Sequence, residues 1–495
     1  MAGVERALRV TAERQPRADL GNGYYRNPVV AGNFADPSVC RVGSDYYLAQ
    51  SMAPGVLLWH SRDLVNWRPL GNALTVDLGD IWAPDLCYHN DLFYLYLPVV
   101  VQPKDGGRPR FANYVTTATS PEGPWSDPID LHVDGFIDPG HVVDRDGTRY
   151  LYVSGGMGAP LAPDGLSLAG EMQRLYEGWS YPDEWIVECF CLESPKFAWR
   201  GEWLYLVSAQ GGTWGPATSH MATVARAHSP LGPWENSPYN PLVHTGSREE
   251  KWWSQGHGTL IDDVEGKWWF LYHAVERDYA TLGRPNLLVP VEWTADGWPV
   301  VRQSAASLLA KPSGENVGHG LPLSDDFAGD ALGMQWRCTG QGGRQAYRCE
   351  HGALVMTATG QDLQHWGDLS YVACSPVNHS YELVVEVEVA YGAEAGLLLQ
   401  DGRGRSAIGV CTGHGRVWAY VDGHPASQAE CGPRVWLKLW SLEHDVVGFW
   451  SADGKHWSKF SRSGREETGH PLWATLCACG AGQARFRSFH YLGLD

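Results

Sequence analysis

The chain contains no run of about 18 apolar residues, the length that a membrane-spanning helix needs. Its opening stretch, MAGVERALRVTAERQPRADL, carries no apolar core of signal-peptide length. Both absences lead to the expectation of a soluble cytoplasmic protein with no membrane partner. Basic residues are scarce as well: 38 Lys and Arg stand against 56 Asp and Glu, a formal charge of −18. A phosphate backbone needs a basic surface, which excludes nucleic acid as a partner. The 11 cysteines have no His or Cys neighbours at zinc spacing. The Cys-x-Cys pairs Cys189/Cys191 and Cys477/Cys479 are expected as thiols buried on one face of a strand, and free thiols in number suit a reducing compartment.

What the chain has in abundance is aromatic and turn residues: 24 Trp, 22 Tyr, 58 Gly and 31 Pro in 495 residues. Many short strands joined by turns give that mixture, and Gly and Pro at this level argue against long helices. The length exceeds one ordinary domain. Indole faces beside carboxylates suit a neutral polar ring such as a sugar, which stacks on the former and bonds to the latter.

One pattern repeats five times. GSDYYLAQS begins at Gly43, NDLFYLYLP at Asn90, GTRYLYVSG at Gly147, GEWLYLVSA at Gly201 and GKWWFLYHA at Gly266. Each is a turn residue followed by an aromatic, alternating strand. The spacing of about 47 to 65 residues fits a blade of four short strands with its loops. Turns ending in Trp recur between them, in SRDLVNW (61–67), TSPEGPW (119–125) and HSPLGPW (228–234). The whole chain is therefore expected to be all-β: an N-terminal extension (1–22), a five-bladed β-propeller (23–310), a polar linker (311–324) and a second β domain (325–495).

A few residues before the repeated strands lie Asp36, the WAPD of 82–85, Asp138, Glu193 and His257. The innermost strand of every propeller blade lines the central channel, so equivalent positions in successive blades converge on one axis. Three carboxyls, a histidine and a tryptophan should meet there. Cleaving a glycosidic bond needs a proton for the departing oxygen and a base or nucleophile for the anomeric carbon. Two carboxyls in different environments supply them, and a third nearby raises the acid's pKa by like-charge repulsion.

These stretches resemble glycoside hydrolase family 43. NPVVAGNFADPSVCRVGSDYYLAQSMAPGVLLWHSRDLVNWRPLG (27–71) looks like its opening. DIWAPDLCYHNDLFYLYLP, VDGFIDPGHVVDRDGTRYLYVSGG, ESPKFAWRGEWLYLVSAQGGT, GHGTLIDDVEGKWWFLYHAV and LGRPNLLVPVEWTADGWPVV look like its later motifs, in order. The resemblance implies an inverting mechanism with Asp36 as general base, Glu193 as general acid and Asp138 as the carboxylate that tunes and orients the acid. It implies a sugar-contacting wall at Trp82, an arginine in the pocket at Arg284 and a further contact at Thr213. It also implies that His257 lies under the carboxylates, either holding a calcium ion together with waters or serving as a bare hydrogen-bonding imidazole; the chemistry itself calls for no cofactor. The acid motif reads ESP where many β-xylosidase members have EGP, and GHGTL replaces the commoner GHADL. His220 and His141 are candidate lining residues, each weighed against a packed loop histidine.

Beyond the linker, HSYELVVEVEVAYGAEAGLLLQDG and the segments after it alternate as antiparallel strands, which reads as a β-sandwich. It resembles the lectin-like sandwich appended to xylosidase-type members, either a carbohydrate-binding module or, as favoured here, a packing partner. The expected activity is exo-acting release of xylose, L-arabinofuranose or both from small oligosaccharides by a monomer or homo-oligomer. Action on galactosides, galactofuranosides or fructosides and non-catalytic sugar binding are the alternatives.

Overall fold

The computed structural model describes residues 10–494 apart from 13, 52–54, 75, 102–106, 341–345, 361, 364–368, 402–406, 422–423, 461–462 and 465–468. Two short 3-10 turns are the helical content among these residues; everything else regular is strand. No helix among them is long and apolar enough to cross a membrane.

Two compact units are present. One holds Arg17–Arg277 and Arg284–Gly320; the other holds the described N-terminal residues up to Pro16, Asp278–Gly283 and the chain from Leu321. The described residues of the expected N-terminal extension (1–22) thus divide between the two units. The strand Val10–Ala12 pairs antiparallel with Gln483–Leu494, the last strand of the second unit, whereas Asp19 belongs to the first. The expected linker is also shorter and better fastened than its composition suggests. Lys311 Nζ lies 2.6 Å from Asp19 Oδ2 and 2.8 Å from Asp63 Oδ2, and the Trp67 N–H donates to His319 Nδ1. Buried charge partners, invisible in a Gly- and Pro-rich stretch, hold it against the first blade.

The first unit is a five-bladed propeller. Its blades begin with the strands Ser38–Val42, Asp85–His89, Gly140–Val143, Glu193–Arg200 and Trp252–Asp262, each followed by antiparallel neighbours in meander order. Each first strand touches the first strand of the next blade, and the fifth touches the first, closing a ring. Tyr24–Tyr25 pairs with Leu309–Ala310, joining the two ends of the unit. Aromatic strands fill the wedges between blades: Tyr94, Tyr96, Leu151 and Val153 form one core, and Tyr152, Tyr176, Leu204 and Leu206 the next.

The second unit consists of a nine-stranded and a seven-stranded antiparallel sheet. In Ser380–Val389 the side chains of Tyr381, Leu383, Val385 and Val387 are buried while Glu382, Glu386 and Glu388 face the other side. That period of two is the mark of a sheet with one face in a core. Cys477 and Cys479 are buried in Trp473–Gly480, as expected. Cys189 and Cys191 are not: they lie in the loop before Glu193, joined to each other as a disulfide.

Candidate active site

The five blades share one backbone feature. Asp36, Ala83, Asp138, Ser194 and His257 all have left-handed φ, between 41° and 58°. The first four precede a proline and the fifth precedes Gly258. Non-glycine residues avoid this region, each at a cost of about 1–3 kcal/mol, and such strain collects at functional sites. Here it recurs at one residue in each of the five successive blades. The repeat corrects the sequence alignment by one residue in two blades. The position equivalent to Asp36 is Ala83 rather than Trp82 in the second blade, and Ser194 rather than Glu193 in the fourth. Trp82 and Glu193 each sit one residue earlier. Trp82 keeps 39% of its surface exposed and meets the Phe111 ring edge-on.

Asp36 is buried, and four groups fix it. Arg284 Nη1 donates to Oδ1 at 2.9 Å. Ser51 donates to Oδ2 and accepts the Ala83 N–H at 2.6 Å, linking two blades. The Asp36 N–H donates to His273 Nδ1 at 3.0 Å. His257 Nε2 stands 3.8 Å from Oδ1. Burial pushes the Asp36 carboxyl up, but Arg284, then His257 and His273, outweigh it and hold the group well below the usual carboxylate range. Arg284 is the decisive partner. His273 Nδ1 is 3.1 Å from Oδ1, yet that nitrogen already accepts a backbone N–H, and burial drives the imidazole well toward its neutral form.

Asp138 accepts from His257 Nε2 at 3.1 Å and from the Ser194 N–H at 3.2 Å. The second bond needs the third and fourth blades to approach closely, and Gly140 allows it: a Cβ there would fall 1.8 Å from the Pro195 carbonyl oxygen. Ligand atoms of Asp138, Glu193 and His257 lie within 4.8 Å of one another, as do those of Asp36, His257 and His273. His257 therefore belongs to both clusters. Burial first, then repulsion from Asp138 and Asp36, push the Glu193 carboxyl well above its ordinary value, with Arg284 opposing only in part. One carboxyl is held ionised and another is driven toward its protonated form.

Behind these groups His220, His257 and His273 stack with centroids 5.4 to 6.3 Å apart. His220 is fully buried, is pushed down to about 3 by that burial, and donates from Nδ1 to the Gly211 carbonyl. Thr213 is half-buried in the turn that begins at Gly211. His141 lies elsewhere. It lines a cavity of about 310 Å³ whose wall includes Ser38, Asp85, Lys196 and Thr259 but none of the three carboxyls.

These donors could hold a metal ion but make a poor calcium cage. Calcium takes six to eight oxygens, whereas three imidazoles crowd this site, and Asp36 and Asp138 already serve Arg284, Ser51, His257 and Ser194. His257 Nδ1, buried without a hydrogen-bond partner among the described residues, is a nitrogen donor of the kind calcium disfavours.

Ser51, Ser194 and His273 were not legible as site residues. Ser51 and His273 lie on or beyond the second strands of their blades, where nothing marks them off from other polar residues in a strand pattern.

Two carboxyls of opposite protonation preference, Asp36 buried and Glu193 half-buried, in a five-bladed propeller form the pair that glycoside hydrolases use. Residues 25–299 match the family description "Glycosyl hydrolases family 43", and the chain belongs to that family. It is 32% identical over 342 residues to a non-reducing-end α-L-arabinofuranosidase of Bacteroides ovatus, covering 64% of this chain and 61% of the relative. It is 31% identical over 358 residues to a xylan 1,3-β-xylosidase of a Vibrio species, covering 62% and 64% respectively. The matches thus span less than two thirds of either relative's length. The crystal structure of the GH43 protein BlXynB from Bacillus licheniformis superposes with a TM-score of 0.82 at 27% identity, over 95% of this chain and 100% of that one.

Proposed function

We propose that the protein is an exo-acting, inverting glycoside hydrolase that releases terminal xylose or L-arabinofuranose from small oligosaccharides. The observation that carries this reading is the opposite displacement of Asp36, buried, and Glu193, half-buried, in clusters that share His257. Asp36, ionised beside Arg284, takes a proton from a water molecule, whose oxygen attacks the anomeric carbon. Glu193, protonated, delivers its proton to the glycosidic oxygen as that bond breaks, so the leaving sugar departs neutral. Asp138 keeps the acid's proton affinity high by repulsion. Arg284 holds the base ionised and faces the sugar hydroxyls, and Trp82 offers an indole wall.

The names of the relatives, an arabinofuranosidase and a xylosidase, support the pentose assignment. Xylose and arabinofuranose present similar hydroxyls to a small pocket, so one site can accept both. The test is a panel of aryl glycosides (β-xyloside, α-L-arabinofuranoside, β-galactoside, β-galactofuranoside), with proton NMR of the first-formed anomer. Turnover of a pentoside with inverted configuration, lost in Asp36→Ala and reduced in Glu193→Ala least for the best aryl leaving groups, is the expected result. Retained configuration overturns the role of Asp36, and turnover of galactosides alone overturns the sugar.

A further inference from the structure

Between Gln173–Arg174 and Glu193 the chain runs without regular structure and ends in the sequence Glu188-Cys189-Phe190-Cys191-Leu192. The disulfide joins cysteines only two positions apart, with Cα atoms 5.4 Å from each other. A bridge across one residue makes the backbone double back, and Cys191 adopts φ 36°. Phe190, at the tip, has 44% of its surface exposed.

The backbone of this loop is pinned while the ring is not buried. The Gly211 N–H donates to the Phe190 carbonyl at 3.2 Å. The Glu188 N–H donates to Ser219 Oγ at 2.9 Å, and Thr218 Oγ1 donates to the Ile186 carbonyl at 3.2 Å. On the far side the Leu192 carbonyl accepts the Gly155 N–H at 2.7 Å. Gly211 begins the turn that carries Trp214, itself 37% exposed and 5.7 Å from the Arg284 guanidinium. Gly178, at φ 85°, leaves room for the Phe190 ring: a Cβ there would lie 2.7 Å from its Cζ. An exposed phenyl ring is thus held on a fastened turn, three residues ahead of Glu193.

We infer that Cys189-Phe190-Cys191 is a disulfide-closed platform for the leaving sugar, and that reduction of the bridge weakens it. This rests on Glu193 being the general acid. That group must touch the oxygen of the departing sugar, and Phe190 precedes it by three residues on a loop bonded to Gly211, whose turn carries Trp214 beside Arg284. A flat apolar ring suits the C–H face of a pyranose or furanose. The bridge removes conformational freedom from the free turn, leaving less to be lost on binding. Cys191 is exposed, within reach of a dithiol reductant. The dithiol supplies two electrons and two protons, the S–S bond opens to two thiols, and the reductant leaves as its own disulfide. The turn at Phe190 then rests on its backbone hydrogen bonds and the Tyr181 ring alone, a looser hold, while the carboxyl cluster keeps its partners.

The test compares substrates that differ only in the leaving ring: xylobiose against methyl β-xyloside, and arabinobiose against methyl α-L-arabinofuranoside. Both members of each pair need the same proton from Glu193. In Phe190→Ala, kcat/KM is expected to fall about 5- to 10-fold more for the disaccharide than for the methyl glycoside, mostly through KM, and Phe190→Trp to restore it. Dithiothreitol on the wild type, and the double substitution Cys189→Ser/Cys191→Ser, should each shift the ratio in the same direction, with no further response of the double variant to reductant. An unchanged ratio in Phe190→Ala overturns the platform. Indifference of the wild type to reductant, or a response that persists in the double variant, overturns the part played by the bridge. Wild-type protein that cleaves none of the four substrates sinks the functional reading itself, whereas cleavage at an unchanged ratio sinks only this inference.

Discussion

Arg284 Nη1 lies 2.9 Å from Asp36 Oδ1, although 248 residues separate the two in the chain. One is the last charged residue that the propeller brings to its axis and the other is the first. Their pairing decides the protonation of the site, because burial alone would push Asp36 up.

Arg284→Ala should therefore move the acid limb of the kcat/KM profile upward. The base works only when ionised. In the wild type it stays so at pH values below the usual carboxylate range, and activity is lost only as pH falls through that depressed pKa. Without the guanidinium, burial is opposed only by His257 and His273 and the limb moves up, with a loss of roughly 10²-fold at the optimum. Arg284→Lys should shift it less. A pH–rate profile in which the acid limb stays put in Arg284→Ala would remove Arg284 from this role.

The basic limb belongs to Glu193, which must hold a proton. Repulsion from Asp138 is part of what raises it, so Asp138→Asn should shift the basic limb downward while leaving the acid limb nearly in place. Glu193→Gln should cost about 10² to 10⁴ on unactivated glycosides, and much less on aryl glycosides whose leaving group needs little protonation. An equal loss on both substrate types would count against Glu193 as the acid.

Lys196 and Asp85 form a buried ion pair at 2.6 Å, two residues along the inner strands from Ser194 and Ala83. Asp85 also accepts from Ser38 Oγ and the His141 N–H, and Lys196 donates to the Pro139 carbonyl, so the pair ties four blades together. Removing one partner strands a buried charge. Lys196→Met should destabilise the propeller by about 3–5 kcal/mol, and Lys196→Met with Asp85→Leu should recover much of that loss. Urea denaturation followed by tryptophan fluorescence measures both; a single variant as stable as the wild type would show that water reaches the pair.

Much of the fold was legible because its signals are local. A turn residue followed by alternating aromatics specifies a strand within a few positions, and five such copies at blade-length spacing specify the propeller. The alternation in Ser380–Val389 likewise announces a one-sided sheet. Asp36, Asp138, Glu193 and His257 could be picked out because each precedes such a strand. The frame was off by one at Ala83 and Ser194, since the left-handed turn that defines the frame leaves no mark on residues other than Asp, Asn or Gly. The Cys-x-Cys at 189/191 was misassigned for a related reason. Spacing of two fits one face of a strand and a closed turn equally well, and only the path of the surrounding loop separates them.

The sequence by itself determined the strands, the turns and the residue types that each blade delivers to the axis, because these depend on a period of two and on the conformational range of single residues. The tertiary structure alone decided which of those residues share a charge environment. His273 and Arg284 reach Asp36 only when the fifth blade closes against the first, and Glu193 is driven toward its acid form only where burial and two neighbouring carboxyls coincide. Protonation depends on distances of a few ångströms between residues far apart in the chain, and ring closure sets those distances.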